Sequence, residues 1–233
     1  MGEFKELRER VWEANMELPE KNLVLYTFGN VSGIEREKGI IAIKPSGVPY
    51  EELTPDKIVL IDMDARVIDS DYRPSSDTKT HVVLYKHFSD IGGIVHTHSP
   101  YATAWAQANK SIPCMGTTHA DHVHGDIPCT GILSDEQIRG DYEEETGNRI
   151  IERFKDIPHT EVPMVLVASH GPFTWGDTPK KAVYNSVILE ELAKVALYTV
   201  AINPGSTPLK KTLLDKHFLR KHGSNAYYGQ NQR

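Results

Sequence analysis

The sequence predicts a single α/β domain over residues 1–233, built on a central, mainly antiparallel β-sheet with helices on both faces. Three observations point there. β-Rich runs follow one another with only Gly, Pro and Asp signals between them, and runs so closely spaced pair as antiparallel strands. Helical patterns stand before, between and after those runs. No repeat, low-complexity tract or linker divides the 233 residues, and a chain of this length buries roughly 70% of its unfolded surface around one core.

Phe4, Leu7, Val11, Ala14 and Leu18 recur at three- and four-residue steps, which predicts an amphipathic first helix that stops at Pro19. "NLVLYTFGNVSGI", "GIIAIKPSG" and "DKIVLIDMDARVI" then read as strands, and "SSDTKTHVVLYKHF" as a helix capped by Ser or Asp. "GGIVHTHS" is the next strand; "SPYATAWAQA" is a helix with Ser99 at its N-cap and Pro100 at its first position. "TTHADHVHGDIPCTG" is rich in polar and turn residues and is expected as a short strand plus a functional loop. "DYEEETGNRIIERF" opens a helix with acidic residues, which suit the positive end of the helix dipole. "VPMVLVASHGPFTWG" reads as a buried strand running into a turn. Apolar positions nearly encircle "TPKKAVYNSVILEELAKVALYTVAI", so this long helix is expected at the centre. "LKKTLLDKHFLRKHG" closes at Gly223 and leaves a polar tail, 224–233.

A net charge of −6 and a pI near 6.0 argue against a broad surface for nucleic acid or anionic membrane and favour a small-molecule partner. No apolar run approaches the ~20 residues of a membrane helix. The charged opening "MGEFKELRERVWEANMELP" lacks a signal-peptide core, and Glu6 replaces the Ser/Thr of a myristoylation pattern. A cytoplasmic location is expected. Cys114 and Cys129 are too few for a disulfide framework and are expected as buried free thiols.

The chemistry-bearing residues gather at element ends. Residues two apart in a strand share a face, so His96 and His98 can chelate one ion, and His170 ends another apolar run in a comparable position. Three protein ligands with an open position are the usual set of a catalytic zinc. One such histidine alone is an ordinary hydrogen-bonded side chain; three at strand ends point to a metal. "HADHVHG" offers a second set, His119, His122 and His124, without a long strand to hold it: a weaker metal site or the polar rim of a cavity. "KPSG" (Lys44 to Gly47), "RPSSD" (Arg73 to Asp77) and Gly29-Asn30 are plain turns or, through backbone N–H groups and Ser hydroxyls, a phosphate cradle. Asp77 is a helix cap or a fourth metal ligand, Asp121 a surface carboxylate or an acid–base group, and Tyr228 a tail residue that packs on a neighbouring subunit.

Together these stretches resemble the L-ribulose-5-phosphate 4-epimerases of the class II aldolase-like group. The resemblance runs nearly end to end, through "EANMELP", "TFGNVSGI", "IKPSGVPY", "RPSSDT", "GGIVHTHS", "GTTHAD", "IPCT", "YEEETGN", "SHGPFTWG", "VILEELA" and "TLLDKHFLRKHG" followed by "AYYGQ". It implies a class II aldolase-like fold, with His96, His98 and His170 as zinc ligands and Asp77 able to approach the metal. It implies Gly29, Asn30, Ser46, Gly47, Ser75 and Ser76 as substrate- and phosphate-binding positions, assisted by Lys44, Thr117 and Arg220. Asp121 and Tyr228 match the catalytic acid and base, in a site built between adjacent subunits of a cyclic homotetramer, with the 224–233 tail docking across the interface. The implied partner is a pentulose phosphate, supplied first by L-arabinose use, with L-ascorbate-type or other pentose pathways as alternatives. The chain departs from the pattern after Asp121, where relatives tend to carry aromatic residues instead of His122 and His124, and at Arg73.

Such an enzyme would convert L-ribulose 5-phosphate into D-xylulose 5-phosphate. The C2 carbonyl acidifies the C3 hydrogen and not the C4 hydrogen, so inversion at C4 needs retro-aldol cleavage of C3–C4 and re-addition to the other face of the aldehyde. The competing readings are a class II sugar-phosphate aldolase that releases its two fragments, and a zinc-stabilised binding module without catalysis. A metal-dependent hydrolase is the less favoured reading, since its helical signature His-Glu-x-x-His is absent.

Overall fold

The computed structural model describes residues 4–223 with 226 and 227. Among them, seven strands form one sheet: β1 (Asn30–Glu35), β2 (Ile40–Ile43), β3 (Val59–Asp62), β4 (Val67–Asp69), β5 (Gly93–His96), β6 (Met164–Leu166) and β7 (Pro172–Gly176). Their order is β4-β3-β2-β1-β5-β7-β6, and every neighbouring pair is antiparallel.

Side-chain alternation explains why helices cover both faces. Ile41, Ile43, Val59, Ile61 and Ile94 point to one side, where they pack with α2 (Thr78–His87), α3 (Pro100–Gln107) and α6 (Tyr142–Arg153). Ala42, Leu60 and Val95 point to the other and meet Leu7, Val11, Ala14 and Leu18 of α1 (Lys5–Glu20). α7 (Pro179–Ile202) serves both sides: Ala182 and Val183 join the α1 cluster, while Leu189, Leu192 and Ala193 join the larger one. The remaining helices are α4 (Thr117–Ala120), α5 (Asp135–Arg139) and α8 (Lys211–His222). None of the helices among the described residues is long and apolar enough to cross a membrane. Both cysteines are buried free thiols, as their number predicts.

The sheet and its covering helices follow the sequence-based expectation; several elements depart from it. α1 runs through Pro19 to Glu20, because Lys21 N–H still reaches the Glu17 carbonyl and the bond lost at proline falls in the last turn. "NLVLYTF" is a loop, not a strand. Asn22 and Tyr26 take positive φ, which breaks an extended run, and Leu25, Tyr26 and Phe28 stand 68%, 84% and 54% exposed. "TTHADHVHG" opens with the short helix α4 instead of a strand. α5 was not expected; it forms behind a capping box in which Ser134 Oγ accepts the Gln137 N–H and Gln137 Oε1 accepts the Ser134 N–H. "VPMVLVASHGPFTWG" makes two strands, β6 and β7, folded back at Ser169, whose φ is +61°. α7 is covered on one face only. Tyr184, Val195, Leu197, Tyr198 and Ile202 remain exposed, on the side of α7 away from the sheet, α1 and α3.

The junction of β5 with α7 is tight. A Cβ on Gly93 would lie 2.4 Å from the Pro179 backbone, whereas one on Gly116 would meet nothing within 4 Å. Gly93→Ala should therefore cost at least about 1–3 kcal/mol, as overpacking does, with Gly116→Ala nearly neutral. Denaturant midpoints of the two variants check this.

Candidate active site

β-Sheet register sets the site. β1 pairs with β5 at Asn30↔His96, and β5 pairs with β7 at His96↔Phe173, so the strand ends bearing His96, Asn30 and the β6–β7 turn meet at one edge of the molecule. Gly29 lets the chain enter β1 there. Its φ is +72°, and a Cβ would come within 2.9 Å of the His96 carbonyl oxygen and 2.7 Å of Val24.

His96, His98 and His170 converge, with ligand atoms all within 4.8 Å of one another. His96 Nδ1 lies 2.9 Å from the Pro172 carbonyl, which can only accept, so Nδ1 carries a proton and Nε2 is the nitrogen turned to the other two rings. That Nε2 is 3.0 Å from His98 Nε2. Lone pairs at this separation repel unless a cation or proton lies between them. Burial lowers the His98 pKa and pushes that of His170 down to about 4, so both are neutral, metal-ready imidazoles at pH 7. This donor set fits a divalent transition metal with a site left open.

Asp77 lines the same cavity but stands outside the converging set. It occupies the N-cap position of α2 without making the capping bond expected of it. Its Oδ2 instead accepts from Asn30 Nδ2 at 2.7 Å and Ser75 Oγ at 3.3 Å. Burial would raise its pKa, yet the neighbouring His96 and His81 and the Asn30 bond outweigh this and lower it.

The cavity, about 450 Å³, is also lined by Gly29, Asn30, Lys44, Ser46, Gly47, Ser75 and Ser76. The two turns picked out in the sequence lie side by side: Ser75 N–H donates to the Lys44 carbonyl at 3.0 Å, Ser46 N–H to that of Arg73 at 2.9 Å, and Pro45 bridges Pro74. Gly47, with φ +70°, turns the chain away beyond Ser46. Lys44 is almost wholly buried; its Nζ donates to the Val48 carbonyl at 2.8 Å and sits 4.8 Å from the Tyr50 ring centroid. Burial lowers its pKa to about 8. Small hydroxyls and a buried cation suit a phosphate monoester.

Thr117, Asp121 and Arg220, predicted with this set, do not line the cavity. Asp121 borders a second one, about 330 Å³, beside His122, Tyr184 and Lys221. α8 grips its carboxylate: Arg220 Nη2 donates to Oδ1 and Oδ2 at 2.9 Å each, and His217 Nδ1 lies 3.0 Å from Oδ1. Burial raises its pKa, but those bonds and Lys221 outweigh this, and Asp121 stays ionised. Arg220 is thus turned to Asp121 and away from the cradle. Tyr228 lies outside the described residues.

The second histidine cluster gathers no converging donors among the described residues. α4 breaks the strand alternation that would align them: His119 is buried and pushed down to about 4 by that burial, while His124 is held between carboxylates. Residues the sequence reading missed are Thr27 and Phe28, which line the cavity, and Tyr142, whose hydroxyl lies 3.4 Å from His170 Nδ1. His81 was missed too. It is fully buried, pushed down to about 3 by burial, and bonded through Nδ1 to Ser32 Oγ at 2.7 Å. Its place four residues after Asp77, one helical turn on, was the available signal.

Residues 9–197 match the class II aldolase and adducin N-terminal domain. The L-ribulose-5-phosphate 4-epimerase UlaF of Salmonella paratyphi A is 52% identical over 227 residues, 97% of this chain and 100% of that one. The protein of the same name from Salmonella typhi matches equally. Among solved structures, an L-fuculose 1-phosphate aldolase superposes with a TM-score of 0.75 at 24% identity, over 91% of this chain and 94% of that one. Another, from Glaciozyma antarctica PI12, gives 0.74 at 17% identity, over 92% and 80%. At these identities the structures speak for the fold alone.

Because His96 is anchored on the Pro172 carbonyl and sits on a strand of the sheet, metal removal should leave the fold intact. Chelator-treated protein should keep its far-UV circular dichroism, and His170→Ala should weaken Zn2+ or Co2+ binding in calorimetric titration. Unfolding on chelation would instead mark the metal as a structural staple.

Proposed function

The chain belongs to the L-ribulose-5-phosphate 4-epimerase family of class II aldolases, and from that premise we propose that it inverts C4 of L-ribulose 5-phosphate to give D-xylulose 5-phosphate. The observation that carries this reading is one cavity in which three converging imidazoles stand with a hydroxyl-lined turn pair and a buried lysine.

In this reading Ser46, Gly47, Ser75, Ser76 and Lys44 hold the phosphate, and Asn30 orients the sugar oxygens. His96, His98 and His170, with Asp77 beside them, would hold the divalent ion, taken as zinc. When bound, that ion supplies Lewis-acid polarisation of the C2 carbonyl. The C4 hydroxyl gives its proton to a base as the C3–C4 bond breaks; the bonding pair moves toward C2, leaving an enediolate and glycolaldehyde phosphate. The cradle retains the aldehyde by its phosphate while the aldehyde turns over. Re-addition from the other face returns a proton to the C4 oxygen, so two acid–base groups are needed, one for each face. Asp121 and Tyr228 fill these roles. Asp121 does not border the imidazole cavity of its own chain, so we place the complete site between adjacent copies of a cytoplasmic cyclic homotetramer, with the tail crossing the interface.

Incubation with L-ribulose 5-phosphate and Zn2+ should yield D-xylulose 5-phosphate without accumulation of free glycolaldehyde phosphate; accumulation would identify an aldolase. Asp121→Asn should lower kcat by roughly 10²–10⁴-fold. Co-expressing Asp121→Asn with His96→Asn should recover part of the activity in mixed oligomers, whereas a site within one chain would recover none.

Lys44 gives a separate pH test. A lysine lowered to about 8 loses its charge as pH rises through that value, not near 10.5. KM for the phosphorylated substrate should climb above about pH 8, and Lys44→Met should raise KM at lower pH and flatten the climb.

A further inference from the structure

His124 is unused in the reaction above and stands where an aromatic residue is expected. Its imidazole joins three segments of the chain. Nδ1 lies 2.7 Å from Glu161 Oε2, and Nε2 lies 2.8 Å from Asp215 Oδ1 on α8. The ring stacks on Phe218 of α8 at 4.6 Å, and its backbone N–H donates to the Glu161 carbonyl at 3.1 Å. Ionised carboxylates only accept, so both ring nitrogens must donate, and an imidazole with two N–H groups is the cation.

α8 is also the element that holds Asp121. His217 and Arg220 bind the carboxylate, and His222 Nε2 lies 3.0 Å from the Asp121 backbone carbonyl. His124 follows Asp121 by three residues, so its bond to Asp215 closes a loop through α8 onto the same segment. We infer that His124 is a positioning residue: its doubly bonded imidazolium fixes α8 against the Asp121 loop and so sets the direction of the Asp121 carboxylate. The inference rests on the role given to Asp121 above.

A neutral His124 keeps one N–H, and the other nitrogen then turns a lone pair toward a carboxylate. That contact becomes repulsive and α8 loses its anchor. The charged groups facing the ring are Glu161 from the turn after α6 and Asp215 from α8; Lys211, 2.8 Å from Asp215 Oδ2, shares the second. Burial lowers the His124 pKa, but its hydrogen bonds to Asp215 and Glu161 outweigh this and raise it. With the folded value above the unfolded one, the clamp is complete below the unfolded pKa, about 6.5, and is lost as pH rises through the folded value. The loss therefore falls on the alkaline side. It acts on kcat, whereas Lys44 acts on KM.

The test is NMR titration of 15N-histidine-labelled full-length protein beside kcat–pH profiles of wild type, His124→Phe and Asp215→Asn. His124 should titrate above 6.5 and shift downward in Asp215→Asn. His217 resonances should move with the same midpoint, and wild-type kcat should fall through it. His124→Phe should lose that inflection and run roughly 10- to 100-fold below wild type, as a misplaced catalytic group does. Titration of His124 at or below 6.5, or an unchanged kcat inflection in His124→Phe, overturns the inference. Wild-type protein inactive on L-ribulose 5-phosphate would overturn the proposed function instead. The clamp would then stand or fall on whether His217 follows His124.

Discussion

The antiparallel pairing of β1, β5 and β7 at Asn30, His96 and Phe173 is the constraint on which the site depends. It places the strand end that carries His96 against the Pro172 carbonyl, and that contact fixes the tautomer and direction of the imidazole. The same register sets Asn30 beside His96, from where its amide reaches Asp77 and Ser75. A slip by one residue would send His96 to the opposite face and break both links. The tight packing of Gly93 on Pro179 opposes such a slip, because α7 rests on β5 at that point. Backbone hydrogen bonding thus orients the His96 imidazole, the preorganisation that a catalytic metal site with an open position requires.

Charge is arranged around this frame in two separate places. The imidazole cavity is lined by a buried lysine whose Nζ is held by the Val48 carbonyl and the face of Tyr50. The Asp121 region has the opposite design: a carboxylate surrounded by Arg220, His217 and Lys221. A carboxylate gripped in this way is held in one orientation, with its basicity reduced by the cations beside it. For proton transfer such a group has to be brought to the substrate by the position of its whole loop, since its side chain is not free to swing.

What could be read from the sequence follows from how local the physics is. Alternation along β2, β3 and β5 depends on neighbours two residues apart, so the sheet, its covering helices and the convergence of His96 with His98 were all legible. "KPSG" and "RPSSD" were legible as turns; that they lie side by side and complete one cradle depends on the meeting of Pro45 and Pro74, distant in sequence. The loop "NLVLYTF" was misread because its composition favours a strand while Asn22 and Tyr26 take positive φ, a conformation composition does not encode. Asp77 carries the residue type and position of a helix cap, but Asn30, at the start of β1, claims its oxygen. His124 looked like one of three alternating imidazoles, and its actual partners, Glu161 and Asp215, lie far along the chain.

Apolar surface left open by a single chain bears on the same division. Leu25, Tyr26 and Phe28 are exposed on the loop that enters β1, and Phe28 also lines the imidazole cavity, 6.2 Å from the His98 ring centroid. The outer face of α7 adds Val195, Leu197 and Ile202. A retro-aldol site has to keep water from an aldehyde during its turnover, and a cavity whose wall includes half-open aromatic surface is not yet closed. Under the proposed function, a neighbouring copy that brings Asp121 to this cavity would also cover Phe28. Acid–base chemistry and water exclusion would then come from the same contact, so catalysis would be confined to the assembled form.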